Sequence, residues 1–112
     1  MIRLDNIVAK IRPYLTSKDI EEVKKAYAFS AKVHAGQKRY SGEPYMIHPM
    51  EVTSILADIK LDKESIITGL LHDTIEDTLA TNDDIEKLFG KKVFNLVNGV
   101  TKIGQLKISS KF

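Results

Sequence analysis

Apolar side chains recur every three or four residues along most of this chain, which is the spacing of one face of an α-helix. The clearest such face comprises Ile20, Val23, Tyr27 and Ala31. We find no convincing stretch in which apolar and polar residues alternate as they do in a half-buried strand. The 112 residues are enough for one hydrophobic core. The pattern therefore predicts an all-α fold, a compact bundle of five to six short helices packed at varied angles.

Capping residues, prolines and glycines set the expected helix boundaries. The segment 36–45, with the sequence GQKRYSGEPY, is rich in Gly and Pro and is predicted to be a loop. The expected helices run over residues 3–12, from Thr16–Ser17 to Gly36, from His48 to Ile59, from Asp62 to about Asp77, from Thr81 to Gly90 and from Val93 to Val100.

The third helix is expected to begin at His48, because Pro49 is preorganised for the first helical position and His48 would then be the N-cap. The tail from Gly104 onward has no strong pattern and is expected to fray. The apolar residues of the third helix are expected to form its buried face, which would comprise Val52, Ile55, Leu56 and Ile59.

Composition excludes several classes of protein. The chain has no cysteine, so disulfides and zinc-thiolate sites are impossible, which is compatible with a cytoplasmic location. No apolar run approaches the roughly 20 residues that span a bilayer, so no membrane association is expected. The net charge of +2 is too small to argue for DNA. The lysines that follow Glu86 are either a solvated surface or a positive rim that attracts a phosphate-rich ligand.

Two adjacent residues, His72 and Asp73, interrupt an otherwise apolar helical segment. Burying such a pair is costly unless a metal ion or hydrogen bonds satisfy it. If His48 at the start of another helix approaches them, two imidazoles and one carboxylate would suit a first-row divalent ion and leave positions for water and substrate. The alternative is that His48 only caps its helix, His72 packs in the core and Asp73 points outward.

Two further carboxylates, Glu76 and Asp77, follow one helical turn after the His-Asp pair. Glu76 lies three residues after Asp73 and is expected on the same face, where it could accept a proton from an attacking water. Asp77 could orient that water. The alternative is a solvent-exposed helix end, but acids are unfavourable near a helix C-terminus because the dipole is negative there.

The loop before His48 carries the basic residues Lys38 and Arg39 together with Ser41. Arginine binds phosphate through two parallel hydrogen bonds or stacks on a base, so this loop is a candidate for substrate binding. The alternative is simple solvation of a charged loop. His34, near the end of the second helix, continues the apolar phase of that helix and is expected to be structural.

Three segments, HAGQKRYSGEPYMIHP, GLLHDTIEDT and VNGVTKIGQL, resemble the hydrolase domain of the RelA/SpoT enzymes, which belong to the HD-domain metallophosphohydrolases. The resemblance covers about residues 20–107. It implies an all-helical fold, a Mn²⁺ ion or another divalent metal, and removal of the 3′-diphosphate from the alarmones ppGpp and pppGpp in control of the stringent response.

The resemblance also implies roles for individual residues. His48, His72 and Asp73 match the metal ligands of the family, and Glu76 with Asp77 matches its catalytic carboxylate pair. In the loop, Arg39 and Ser41 match residues of the nucleotide pocket.

The metal motif of the family also includes an Asp on a later helix, whereas no Asp or Glu follows Glu86 here. We therefore expect residues 1–112 to be a single, truncated hydrolase domain. Two alternatives stay open. The chain is either a catalytically impaired fragment that binds nucleotide or a partner chain, through self-association or pairing with a missing C-terminal segment, or an HD phosphohydrolase for another nucleotide.

Overall fold

The computed structural model describes residues 2–37, 42, 44–74 and 80–110, with side chains up to residue 101. Apart from an isolated bridge at Pro44, the described residues form only helices and turns, which confirms the all-α prediction. The helices are α1 (Leu4–Ile11), α2 (Ser17–Val33), α3 (Ile47–Asp58), α4 (Lys63–Leu71), α5 (Asn82–Phe89) and α6 (Lys91–Ser110).

Local capping explains where several of these helices begin and end. The carboxylate of Asp62 accepts a hydrogen bond from the backbone N–H of Ser65 at 2.9 Å, so Asp62 is the N-cap of α4 as predicted. Thr81 and Asp84 form the predicted reciprocal capping box of α5. Gly90 ends α5 with a φ of 93°, a conformation that glycine adopts without steric cost.

Helix α4 lies at the centre of the fold and packs against α2, α3 and α6. Its side chains Ile66, Ile67, Leu70 and Leu71 are almost completely buried. Six consecutive residues at its C-terminal end, 66–71, are buried, so this end of α4 is enclosed on nearly all sides by other parts of the fold. The core that surrounds it comprises Ile7, Val8, Ile11, Ile20, Val23, Ala26, Met50, Ala57, Ile85, Val93 and Val97.

The predicted buried face of α3 is wrong for two of its four residues: Leu56 packs against the core and Val52 is partly buried, but the two isoleucines are exposed. Ile55 and Ile59 are each 62% exposed, whereas the buried residues of this helix are Pro49, Met50, Thr53, Ser54 and Ala57. The buried hydroxyls are tolerated because each has a partner: Thr53 donates to the carbonyl of Pro49 at 2.7 Å, and Lys10 donates to Ser54 at 2.7 Å. Small side chains on this face let α3 lie close to α1 and α4.

Helix α6 is longer than expected. It runs from Lys91 to Ser110, so the predicted end at Val100 is wrong. The fraying expected from Gly104 onward stays a prediction. The helix contains no proline, and isolated glycines such as Gly99 and Gly104 are tolerated within a helix. One of the lysines that follow Glu86 has acidic partners: Lys92 contacts the carboxylates of Asp62 at 3.3 Å and Glu64 at 3.2 Å. Within the described ranges, no helix has the length and apolar character that crossing a membrane requires.

Candidate metal centre

His48 lies in the first turn of α3. The N-cap of this helix is Met46, so His48 is the second helical residue and not the predicted N-cap. The backbone N–H of Ile47 bonds the carbonyl of Pro44 at 3.3 Å, which forms a turn that leads into the helix. Because Pro49 and Met50 are buried on one side of this turn, His48 faces another way and is partly exposed.

The sequence predicted a helix that continues beyond His72 and Asp73 to about Asp77. In the structure, these two residues instead follow the last residue of α4. The described helix ends at Leu71, and His72 is its C-cap. The Nδ1 atom of His72 is 2.7 Å from the carbonyl oxygen of Gly69, and Thr74 donates from its hydroxyl to the carbonyl of Leu71 at 2.8 Å. These bonds satisfy carbonyls that the helix end leaves free and fix the turn that carries the pair.

The side chains of His48, His72 and Asp73 converge on one another. The Nε2 atoms of the two imidazoles are 3.4 Å apart, and the Oδ2 atom of Asp73 is 3.2 Å from Nε2 of His72 and 3.9 Å from Nε2 of His48. Donor atoms that share one first-row ion at about 2.1 Å stand roughly 3 to 4 Å apart. All three distances fall in this range without any rearrangement.

The identity and orientation of these donors also fit a divalent cation. When Nδ1 of His72 donates to Gly69, its Nε2 is left unprotonated and can act as a ligand. Two imidazole nitrogens and a carboxylate oxygen suit first-row divalent ions. The side chains of His72, Asp73 and His48 are 14%, 25% and 39% exposed, so the cluster is open to solvent on one side. The arrangement can therefore hold a divalent metal ion and admit a small ligand.

The electrostatic environment keeps Asp73 ionised. Burial would raise the pKa of its carboxyl group, but without a metal a hydrogen bond from a protonated Nε2 of His72 and the nearby imidazoles of His72, His48 and His34 outweigh burial and hold the pKa below its ordinary value. A divalent ion would take the place of that proton on Nε2 and leave neutral imidazoles beside the carboxylate. An ionised carboxylate beside two imidazoles gives the cluster the negative charge that attracts a cation.

The other residues predicted to bind substrate or to act in catalysis lie outside the described residues. These are the loop residues Lys38, Arg39 and Ser41 and the carboxylates Glu76 and Asp77. Their roles remain predictions from the sequence.

Sequence reasoning missed two residues that shape the cluster, Gly69 and Thr74. Gly69 supplies the carbonyl that orients His72, and it also lies against α3, where an added Cβ would be 2.8 Å from Cδ1 of Leu56 and 2.8 Å from Oγ1 of Thr53. A glycine in an apolar helical segment was the available signal, because it lowers helix stability and so usually has a packing reason.

A cavity of about 300 Å³ lies elsewhere in the fold. It is lined by the start of α1, by Tyr27 and by Met46, Ile47 and Met50 of α3, and none of the three clustered residues lines it. Its lining is largely apolar and includes no histidine. The chemistry that a metal ion requires is therefore found at the cluster and not at this cavity.

Comparison with known proteins gives concordant matches. A family model described as HD domain matches residues 26–111. The chain is 55% identical over 100 residues to a GTP pyrophosphokinase of Myxococcus xanthus and 46% identical over 111 residues to the bifunctional (p)ppGpp synthase/hydrolase SpoT of Escherichia coli. These matches cover 89% and 99% of this chain, which spans 13% and 16% of the length of those relatives.

A solved structure has a similar fold. It belongs to a metazoan ortholog of SpoT that hydrolyses ppGpp and plays a role in starvation responses. The TM-score is 0.67 with 33% sequence identity, and the match covers 78% of this chain and 49% of that chain.

Proposed function

Since this chain belongs to the HD-domain family, in its RelA/SpoT branch, we propose that it is a metal-dependent phosphohydrolase that removes the 3′-diphosphate of ppGpp and pppGpp. The family match confirms the resemblance that the sequence motifs indicated. The observation that carries the proposed activity is the convergence of His48, His72 and Asp73, whose three donor atoms lie within 4.8 Å of one another.

In this proposal the Nε2 atoms of His48 and His72 and a carboxylate oxygen of Asp73 would hold one divalent ion, which we propose to be Mn²⁺. The bound ion would supply Lewis-acid stabilisation of the negative charge on a phosphoryl group. Gly69 keeps His72 in the ligating tautomer, and the ionised Asp73 supplies negative charge. Solvent access to His48 leaves room for a nucleotide on the open side of the cluster.

The proton chemistry is assigned to Glu76 and Asp77, which follow Asp73 by three and four residues. Water splits the ester between the 3′ oxygen and the diphosphate, giving pyrophosphate and GDP from ppGpp, or pyrophosphate and GTP from pppGpp. The carboxylate pair accepts the proton that the attacking water gives up, and the leaving 3′ oxygen takes one up. This assignment is supported by the spacing of the two residues from Asp73 and by the resemblance to the family.

Substrate binding is assigned to Lys38, Arg39 and Ser41, which lie in the segment that connects α2 to α3. Arginine and lysine side chains bind phosphate groups through charge-assisted hydrogen bonds. Along the chain these three residues precede His48 by ten, nine and seven positions. This short connection supports an anionic substrate for the site.

The direct test is to incubate the chain with ppGpp and Mn²⁺ and to follow the release of pyrophosphate and GDP. We expect Asp73→Asn to abolish release, because the amide removes the charged ligand. Asp58→Asn is the control for loss of a carboxylate elsewhere: Asp58 is exposed, contacts Lys10 at 2.8 Å and is not part of the cluster. Equal rates for wild type and Asp73→Asn would refute catalysis at this site.

The alarmone assignment needs its own test, because it rests on the activity of the relatives and on the loop with Arg39 and Ser41 and not on the metal cluster. A panel of ppGpp, pppGpp and dGTP should show release of pyrophosphate from the first two only. Equal activity on dGTP and ppGpp would favour an HD phosphohydrolase for another nucleotide.

A second candidate function is binding without catalysis, and the exposure of Ile55 and Ile59 on α3 favours it. Exposed apolar surface promotes association. In this case a second copy of the chain would be the partner, and light scattering would detect a dimer that Ile55→Ser dissociates. A strictly monomeric wild-type chain would count against this candidate.

A further inference from the structure

The rings of His34 and Tyr45 are stacked on each other. Their centroids are 4.5 Å apart and their planes are inclined by only 9°. His34 is the C-cap of α2 and is 3% exposed, and Tyr45 lies in the turn before α3. The stack therefore joins the two ends of the segment that connects α2 to α3.

A second contact joins the same two parts of the chain. The hydroxyl of Ser30 donates to the sulfur of Met46 at 3.5 Å. Ser30 precedes His34 by four residues, so the two side chains lie on one face of α2, and both are buried. Consecutive residues of the turn, Tyr45 and Met46, thus rest on a single face of α2.

This docking matters for the start of α3. Met46 is the N-cap of α3, and His48 follows two residues later. The N–H groups of the first helical turn have no intrahelical acceptors, so the position of such a turn depends on contacts outside the helix. The stack of Tyr45 on His34 and the hydrogen bond from Ser30 to Met46 are two such contacts with residues outside α3.

The orientation of the His34 ring is itself restrained. Its Nδ1 atom lies 3.3 Å from Oε1 of Gln37, to which it donates when protonated at that nitrogen, and the N–H of Gln37 donates to the carbonyl of His34 at 3.0 Å. Gln37 is followed directly by Lys38 and Arg39, the residues assigned to substrate binding. His34 is therefore connected to both the loop and the turn.

We infer that His34 and Tyr45 are positioning residues of the proposed metal centre, whose stacked rings hold the first turn of α3 so that His48 reaches His72 and Asp73. The inference rests on the proposed metal-binding role of His48. It assigns the stack a role in metal affinity, whereas the sequence alone indicated only a structural role for His34.

The test measures the affinity of the chain for Mn²⁺ by electron paramagnetic resonance, without any substrate. Tyr45→Ala and Tyr45→Leu remove the ring, and we expect each to weaken Mn²⁺ binding by about 10- to 100-fold, the range seen when residues that orient metal ligands are changed. Tyr45→Phe keeps the stacked ring and should bind Mn²⁺ with the affinity of wild type. If Tyr45→Ala does not fold, the comparison of Tyr45→Leu with Tyr45→Phe decides.

Phe89→Ala is the matched control for general loosening of the fold. It also removes an aromatic pair, with Phe29, whose centroids are 5.7 Å apart, but Phe89 is at the end of α5. We expect this variant to lose thermal stability and to bind Mn²⁺ as wild type does. Equal loss of affinity in Phe89→Ala and Tyr45→Leu, or wild-type affinity in Tyr45→Leu, would overturn the inference.

His48→Ala separates this inference from the proposed function. If His48→Ala abolishes Mn²⁺ binding while Tyr45→Leu leaves it intact, the metal centre stands and the positioning role is wrong. If His48→Ala leaves Mn²⁺ binding intact, the metal centre is wrong, and the positioning role that depends on it is wrong as well.

Discussion

The Nδ1 atom of His72 lies 2.7 Å from the carbonyl oxygen of Gly69, three residues earlier in the chain. This one contact links the helix end to the chemistry of the cluster. It satisfies a carbonyl of the last turn of α4, and the proton that it places on Nδ1 leaves Nε2 free to face His48 at 3.4 Å. Because Gly69 also lies against α3, the same residue controls how closely the two helices approach.

Gly69→Ala should therefore damage both packing and metal binding. The added Cβ would meet Cδ1 of Leu56 and Oγ1 of Thr53 at 2.8 Å, so α3 must move or these side chains must rearrange. We expect a loss of about 1 to 3 kcal/mol in the free energy of unfolding, which is typical of overpacked cores. Urea denaturation measures this loss, and a Mn²⁺ titration should show weaker binding because His48 shifts with α3.

The matched control is Gly99→Ala in α6, where an added Cβ meets nothing within 4 Å. Replacing a helical glycine by alanine without a clash stabilises a helix by roughly 0.5 to 1 kcal/mol. We therefore expect Gly69→Ala to lower the free energy of unfolding and Gly99→Ala to raise it. Stabilisation by both would show that α3 and α4 do not approach each other as closely as the structure indicates.

Metal addition should stabilise the folded chain. A ligand that binds only the folded state at 100 times its Kd contributes about 2.7 kcal/mol, which raises the Tm of a chain of this size by on the order of 10 °C. Protons compete with the metal for the imidazole and carboxylate donors, so the rise in Tm on metal addition should become smaller as the pH is lowered. Differential scanning calorimetry with Mn²⁺ and with EDTA measures the shift.

His48→Ala is the control for this experiment, since it removes one ligand from a partly exposed position outside the core. The Tm of this variant should be nearly independent of Mn²⁺. An equal Mn²⁺-dependent increase in wild type and His48→Ala would place the bound ion elsewhere.

The sequence predicted best those features that depend on neighbouring residues. The caps at Asp62 and Thr81 were found because a capping side chain and its backbone partner are only three residues apart. The His-Asp pair was found because polar residues in an apolar segment need partners. That His48 would reach this pair required the family resemblance or the structure, since nothing local joins residues 48 and 72.

The rest depended on tertiary packing. The face of α3 was misassigned because hydrophobicity favoured Ile55 and Ile59, whereas the structure buries Thr53 and Ser54, whose hydroxyls have partners. Small residues at a close helix contact carry little hydrophobic signal. The role of Gly69 was missed for the same reason.

Substitutions in α3 can test this corrected face. Met50 is 3% exposed, so Met50→Ala should lower the free energy of unfolding by about 2 to 5 kcal/mol. Ile55→Ala removes a side chain that is 62% exposed and should change it by less than about 0.5 kcal/mol. Chemical denaturation of the two variants gives the comparison. A larger loss of unfolding free energy for Ile55→Ala than for Met50→Ala would support the buried face predicted from the sequence.

The N-cap of α4 should make stability depend on pH through Asp62. Hydrogen bonds from Ser65, with a contribution from Lys92, hold the pKa of this carboxyl group below its ordinary value of 3.8. A carboxyl group with a lowered folded-state pKa stabilises the fold above its unfolded pKa, and this contribution is lost as the pH falls through the folded-state value. The effect should therefore be complete near neutral pH and disappear in acid.

Two substitutions of Asp62 separate its charge from its capping role. Asp62→Asn can still accept the bond from the Ser65 N–H but cannot titrate, so the stability advantage of wild type over this variant should shrink as the pH falls below about 4. Asp62→Ala loses the cap and should cost about 1 kcal/mol at neutral pH. Urea midpoints measured from pH 7 to pH 2.5 give both quantities. A wild-type advantage over Asp62→Asn that grows in acid would contradict the lowered pKa, because it would require the native state to bind the proton more tightly than the unfolded chain does.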